Sequence, residues 1–281
     1  MINSLYSGVT GLNASTQRMG VIGDNIANVN TIAYKGSELS FESLIMQSVG
    51  GYTGNEVGGG VMLGDLSYDW NQGTVQKTSN PLDMAITGSG FFQVKDAAGK
   101  VYYTRDGEFS VDPTSGKLVT SSGMVVQGCV YTDPPPVPPV VPTVADIVVP
   151  PSATPPPQYQ SVAVDANGVY TFTDNTTDPP LTDPALRLQA VIFDVTDKSS
   201  MVKANNNLYI KTTPDTTDPL TIGIPGTFGL GAVEPGSLEM SNVDIAKEFV
   251  NMITAQRAFS ASAKVITTSD EILQELVNLK R

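Results

Sequence analysis

Histidine is absent from the 281-residue chain, which removes the commonest general base and the commonest zinc ligand together. Cysteine occurs once, at Cys129. Neither an intramolecular disulfide nor a thiolate metal cage is therefore available, and a small buried hydrophobe is its natural role. Cations are scarce: 16 Lys and Arg stand against 28 Asp and Glu, a formal net charge of -12. Such a chain repels a phosphate backbone, which argues against nucleic acid as a partner. No apolar run approaches the ~18 residues that a bilayer span requires, so no membrane insertion is expected. The opening MINSLYSGVTGLNAST has no basic stretch, no continuous apolar core and no small-x-small cleavage pattern, so a cleaved signal peptide is not expected either. Yet only 16% of the residues are charged while Gly numbers 26 and Pro 20, a mixture more usual in extracellular β proteins than in cytosolic enzymes. Export by a route that removes nothing would reconcile the two.

Catalytic motifs are also wanting. The chain has no G-x-S-x-G elbow, no D-x-D-x-D-G calcium loop and no glycine-rich phosphate cradle followed by Lys-Ser or Lys-Thr. Carboxylates are the only catalytic ingredient in quantity. Asp106 and Glu108 share a strand face by period two, and Asp165 and Asp194 are further candidates, but in an acidic β protein such coincidences are routine. No catalytic residue, metal ligand or cofactor is assigned, and the chain is expected not to be an enzyme.

What the chain does have lies at its two ends. Alternating steps of four and three from Ile245 reach Phe249, Met252, Gln256, Phe259, Ala263, Ile266, Asp270, Leu273 and Val277, a heptad seam broken only at Gln256 and Asp270. At the other terminus Ile2, Leu5, Val9, Leu12, Thr16, Met19 and Ile26 repeat that step. Either stripe alone also fits the core face of an ordinary amphipathic helix. Their position at the extreme ends favours helices that pair with each other and with further copies. Ser241 followed by Asp244 predicts a capping box at the start of the second helix.

Between them the pattern changes. Asp24–Phe41 is rich in Asn and short polar residues that cap helices and bridge turns. The seven glycines between Ser48 and Gly64 read as a flexible linker or a tightly packed loop. From Val61 short alternating or β-branched runs follow one another, separated by Asn80-Pro81, Asp106-Gly107, Ser115-Gly116 and Asn167-Gly168 turns, as in an antiparallel sandwich or barrel. Pro134–Pro157 reads as an extended surface loop, because proline has no N–H for a ladder. The fold class is thus α+β: long N- and C-terminal helices pair as a coiled coil, and a mainly antiparallel β domain is inserted between them. The expected divisions are residues 1–31 with 241–281 as the terminal domain, 32–60 as connector, and 61–240 as β domain interrupted by a Pro-rich loop at 132–158.

Several motifs in this order resemble one family. DNIANVNTIAYK, Asp24 to Lys35, is similar to the N-terminal signature of bacterial flagellar rod and hook proteins, matching at Asn25, Ile26, Ala27, Asn28, Thr31, Tyr34 and Lys35. Asp24 stands where Asn is usual and Ala33 where Gly is usual. GTVQKTSNPLDMAITGSGFFQV, YYTRDGEFSVD and the run from GSLEMSN to the closing VNLKR resemble the family's shared β segments and C-terminal helix. The resemblance implies a structural subunit exported through the flagellar type III apparatus without a cleaved signal, polymerising helically into a hollow tube whose inner wall is the terminal coiled coil.

Under that reading the assembly seam comprises Leu5, Val9, Leu12, Met19, Ile26, Ile245, Phe249, Met252, Phe259, Ile266, Leu273 and Val277, with Asn25, Asn28, Thr31, Tyr34 and Lys35 as signature residues. Implied partners are further copies, other axial proteins (rod below, hook–filament junction above), the hook cap and the export apparatus. Its implied location is the extracellular hook or the rod that crosses the periplasm. LYSGVTGLNA and VNLKR favour a hook subunit, a universal joint transmitting motor torque, over the alternative of a distal-rod drive shaft. A secreted β-rich adhesin or a carbohydrate-active enzyme would need a receptor-binding face or a two-carboxylate cleft.

Overall fold

The computed structural model describes residues 2–48, 56–130, 144–148, 161–165, 167–174, 181–182, 188–212 and 220–279. The chain divides into two compact units, one of residues 1–30, 35–70 and 242–281, the other of residues 31–34 and 71–241.

Two long helices dominate the first unit, α1 at Ile2–Ala27 and α2 at Ile245–Leu279. Asn28 ends α1: its backbone N–H donates to the Asp24 carbonyl at 3.1 Å, and its side-chain amide donates to that carbonyl at 2.9 Å and to Asp24 Oδ1 at 3.0 Å. Carbonyls left open at a helix end are satisfied in this way. The start of α2 differs from the expected capping box. Asp244 is the cap, its Oδ1 accepting from the N–H groups of Ala246 at 2.8 Å and Lys247 at 3.3 Å. A carboxylate at that place also meets the positive end of the helix dipole, which Ser241 three residues earlier would not.

Strands β1, Ser37–Ser48, and β2, Glu56–Tyr68, form an antiparallel ribbon running from Ser37 opposite Tyr68 to Ser48 opposite Glu56. Part of the glycine-dense stretch expected to be a flexible linker or a tightly packed loop therefore lies in a strand: Gly58, Gly59, Gly60 and Gly64 all belong to β2. Residues 49–55 of that stretch lie outside the described residues. Gly60 has φ +115°, and a Cβ there would collide with Thr10 Oγ1 of α1. It is a glycine of close approach, letting the ribbon lie on α1.

The second unit is mainly antiparallel β structure. Its first strands are β3 (Val75–Lys77), β4 (Met84–Thr87), β5 (Phe91–Lys95), β6 (Val101–Thr104), β7 (Phe109–Val111), β8 (Leu118–Thr120) and β9 (Val125–Val130). Next come β10 (Ala145–Asp146), β11 (Ser161–Val164), β12 (Val169–Asp174), β13 (Leu181–Thr182), β14 (Leu188–Ala190) and β15 (Ile192–Val195). The last are β16 (Met201–Asn205), β17 (Leu208–Lys211), β18 (Leu220–Gly223), β19 (Ala232–Pro235) and β20 (Ser237–Glu239). One path of neighbours runs β11-β12-β14-β9-β5-β6-β17-β16, while β19 pairs with β4 and β20 with β3, so the end of the unit closes on its beginning. Its core gathers Met84, Ile86, Phe92, Val94, Phe109, Leu118, Val126, Tyr170, Ile192 and Val233, with Phe92 and Phe109 edge-to-face at 5.2 Å.

The proline-rich segment is not wholly a surface loop. Residues 144–148 contain no proline, so their N–H groups can join a ladder. β10 pairs with β9, Ile147 is buried, and Asp146 accepts from Lys117 at 2.9 Å and Gln127 at 2.7 Å. The neighbouring prolines at 134–142 and 150–157 lie outside the described residues.

The turn after α1 contains a backbone constraint the sequence does not announce. Ala33 is fully buried with φ +56°, and its N–H donates to the Glu239 carbonyl at 2.8 Å. The position where the family resemblance expects Gly is one that needs the left-handed region, which Ala enters at a steric cost that Gly does not bear. Ala33→Val should cost roughly 2–4 kcal/mol through strain and overpacking, while Ala33→Gly should stay within about 1 kcal/mol of the parent. Urea unfolding followed by circular dichroism checks this; an unperturbed valine variant would contradict the constraint.

Candidate assembly surface

The helices of the first unit meet through small side chains. A Cβ on Gly8 would lie 2.8 Å from Ile266 Cγ1, and one on Gly11 would lie 3.0 Å from Ser262 Oγ. Ser4 Oγ stands 3.4 Å from Ser269 Oγ. Ala14, Ser15, Ala255 and Ser269 are buried. Ala255, Ser262 and Ser269 follow a seven-residue step, one position before Gln256 and Asp270, where the expected seam was interrupted. Small residues let two helix backbones approach closely, as at small-residue helix seams generally. They also bury little apolar area, so the pair gains little from its own contact.

Of the residues assigned from the heptads, Ile266 sits in this seam against Gly8. Leu5, Leu12, Met19, Ile26, Met252, Phe259 and Leu273 are half-buried. Val9 is 47% exposed, Ile245 45%, Phe249 50% and Val277 67%. Val250, Ile253, Val265, Ile272, Leu276 and Leu279, outside the heptad set, are exposed as well. So α2 turns its small face to α1 and presents large apolar side chains outward. Phe41, Met62, Leu63 and Leu66 of the ribbon add to the exposed apolar surface. A stable soluble pair would do the reverse, burying its large side chains.

The signature residues hold the backbone rather than a ligand. Asn25, buried, accepts from Ser37 N–H at 3.0 Å through Oδ1 and donates to the Ser37 carbonyl at 2.9 Å through Nδ2. Thr31 closes a turn by accepting from Tyr34 N–H at 3.4 Å. Tyr34 is buried with Lys203 Nζ 4.3 Å from its ring centroid, and Lys35 is also buried. Sequence reasoning missed Asn242, which performs the same service: its Oδ1 accepts from Gly36 N–H at 2.9 Å and its Nδ2 donates to the Asp69 carbonyl at 2.8 Å. Its place in the closing GSLEMSN run was the only available signal.

Two of the carboxylates considered for catalysis, Asp106 and Asp165, serve turns. Asp106 Oδ1 accepts from Glu108 N–H at 3.0 Å, and Asp165 accepts from Asn167 Nδ2 at 3.3 Å in the β11–β12 hairpin. Asp194 lies 3.9 Å from Lys198. Burial pushes the Asp106 carboxyl up to about 6, with smaller upward contributions from Glu108 and Asp83, against the lowering effect of the Glu108 N–H. A folded-state value above the unfolded one stabilises the protein fully below pH ~4 and loses that contribution as pH rises through ~6. Asp106→Asn retains an acceptor for Glu108 N–H and should therefore raise stability at pH 8 by up to about 3 kcal/mol while changing little at pH 4. Urea midpoints at the two pH values test it; equal shifts at both would refute the assignment. Among the described residues no group of three or more His, Cys, Asp or Glu is placed to hold a metal ion. Burial also raises the Cys129 thiol to about 11, leaving it unreactive as a thiolate nucleophile at neutral pH.

Comparison with known proteins agrees with this surface. Residues 5–35 match the family model described as Flagella basal body rod protein, residues 85–172 the Flagellar hook protein FlgE/F/G D1 domain, and residues 234–279 the Flagellar basal body rod FlgEFG protein C-terminal. The chain is 35% identical to the flagellar basal-body rod protein FlgG of Bacillus subtilis over 100% of both chains. It is 30% identical to that of Borreliella burgdorferi, again over 100% of both. Against the flagellar hook protein FlgE of Salmonella typhimurium identity is 24%, over 99% of this chain and 100% of the relative. The outward-facing apolar helices, the small-residue seam and these full-length likenesses agree, and the chain belongs to the FlgE/F/G family of flagellar rod and hook proteins, structural subunits of the bacterial flagellum's axial assembly.

Proposed function

We propose that this chain is a rod subunit, the distal drive shaft of the flagellum, rather than the hook subunit that LYSGVTGLNA and VNLKR suggest. One observation carries the reading: the Bacillus subtilis rod relative aligns with this chain over 291 positions at 35% identity, whereas the hook relative needs 410 positions at 24%. The 281-residue chain has no counterpart for the additional segment of that hook protein. The fit of Gly60 against α1 supports it, since a ribbon lying on a helix is a stiff connection and a shaft needs stiffness.

In this reading the terminal helices line the tube, with Leu5, Leu12, Met19, Ile26, Met252, Phe259 and Leu273 completing their burial between copies. Val9, Ile245, Phe249 and Val277 meet neighbouring subunits. Because the small-residue seam buries little, both helices become fully ordered only on assembly. The chain is exported through the flagellar export apparatus and joins other axial proteins below and above, with a cap protein at the growing end. A non-catalytic role follows from the same reading.

Electron microscopy of tubes grown from the purified full chain tests it. Straight, stiff tubes are expected. Curved tubes of short persistence length would return the protein to the hook, and a chain that stays monomeric at high concentration would remove it from the axis altogether.

A further inference from the structure

A polar cleft of about 280 Å³ opens in the first unit, between the later half of α1, the start of β1 and the first turns of α2. Its shape is fixed by the two asparagines already described: Asn25 holds Ser37 at one wall, and Asn242 spans Gly36 and Asp69 at the other. Four carboxylates line it, Glu38, Asp69, Asp244 and Glu248, against two cations, Arg18 and Lys247. Arg18 is drawn to one side, its guanidinium 5.9 Å from the Phe41 ring centroid. Val21 and Val243 add an apolar flank. A rigid cleft with an excess of negative charge and an apolar side suits a short segment carrying both cations and an aliphatic side chain.

The chain contains such a segment at the opposite end of the same helix. Val277-Asn278-Leu279-Lys280-Arg281 has two cationic side chains and no acidic one. Val277 is 67% exposed and Leu279 82% exposed. The cleft sits at the first turns of α2 and Val277–Leu279 at its last, separated by a 35-residue helix, or about 50 Å. A chain cannot fold a straight helix back on itself, so the segment that fills the cleft must come from another copy.

We propose that the cleft receives residues 277–281 of a second copy of this chain. Lys280 and Arg281 meet Glu38 and Glu248, and Leu279 lies along Val21 and Val243. The contact joins opposite ends of α2 and is therefore heterologous; repeated, it builds an open column of copies instead of a closed dimer. It rests on the axial reading above and adds to it a defined longitudinal joint.

Three full-length variants test the joint, with the critical concentration for tube formation read by light scattering. Lys280→Glu with Arg281→Glu should raise it by about tenfold or more. Adding Glu38→Lys and Glu248→Lys should return it to within about threefold of the parent, because the charges are exchanged rather than lost. Asp244 is left intact because it caps α2. A third variant, Asn251→Cys with Lys280→Cys, should give a ladder of disulfide-linked multimers from oxidised tubes, and neither single substitution should. An unchanged critical concentration on tail reversal overturns the proposal. So does a loss of assembly that the cleft reversal does not rescue, or a double-cysteine tube without a ladder. Parent tubes that form normally while these arms fail leave the axial reading standing and remove only the joint; a parent that forms no tubes removes both.

Discussion

Glu239→Ala is expected to destabilise the β unit by about 3–5 kcal/mol, a large share of the roughly 5–15 kcal/mol that holds an ordinary domain together. Glu239 is fully buried in β20, and Arg105 follows β6 at 2% exposure. Glu239 Oε2 accepts from Arg105 Nη1 at 3.1 Å, and Oε1 accepts from Gly73 N–H at 2.9 Å. Arg105 Nη2 donates to the Gly88 carbonyl at 2.6 Å, and its guanidinium lies 5.4 Å from the Phe91 ring centroid. Taking away the carboxylate leaves a guanidinium in the interior without its counter-charge, and that desolvation cost, more than the attraction lost, sets the size of the effect. Replacing both, as Arg105→Met with Glu239→Leu, should recover part of the loss, since no unpaired charge then remains. Recovery stays partial because Gly73 N–H and the Gly88 carbonyl lose their partners. Urea denaturation of the two singles and the double measures this directly; a single-variant loss below 1 kcal/mol would show that the pair does not hold the unit together.

Phe249→Asp should have the opposite profile, leaving the β unit's unfolding midpoint unchanged and raising the critical concentration for assembly by a hundredfold or more. Phe249 is 50% exposed in the single chain, as are its neighbours Val250 at 60% and Ile253 at 55%. A substitution there removes little from the isolated subunit. On assembly the same position loses the roughly 2 kcal/mol of a buried aromatic and introduces a charge that costs several kcal/mol if it is desolvated without a partner. Light scattering, with urea denaturation of the β unit as control, separates the two effects. Normal tubes from this variant would mean that the exposed face of α2 is not a contact face.

Phe249 and the Arg105–Glu239 pair differ in how far local sequence reveals them. Phe249 was visible in the sequence because a heptad stripe on a long terminal helix has to be covered by something. Glu239 and Arg105 were not, although both lie in motifs that carried the family resemblance, GSLEMSN and YYTRDGEFSVD. Nothing local distinguishes a buried Glu from an exposed one; only the folded β unit brings Glu239 of β20 and Arg105 after β6, 134 residues apart, within hydrogen-bonding distance. The β-rich middle was legible from its alternating runs and turn dipeptides. The ribbon at 37–48 and 56–68 was less so, since glycine density reads as flexibility until a helix is found packed where a side chain would have been.

By itself the sequence determined that two long helices stand at the ends, that a mainly antiparallel β unit separates them, and that histidine chemistry, an intramolecular disulfide and a thiolate metal cage have no residues to build them. Those conclusions follow from periodicity and composition, which are properties of neighbouring residues and of counts. The tertiary structure decided which face of each helix meets the other. Periodicity marks every apolar stripe and does not rank them. Close approach of the backbones at Gly8 and Gly11 selected the small residues Ala255, Ser262 and Ser269 for the inner seam and turned Phe249, Ile253 and Val277 outward, where the described residues leave them exposed.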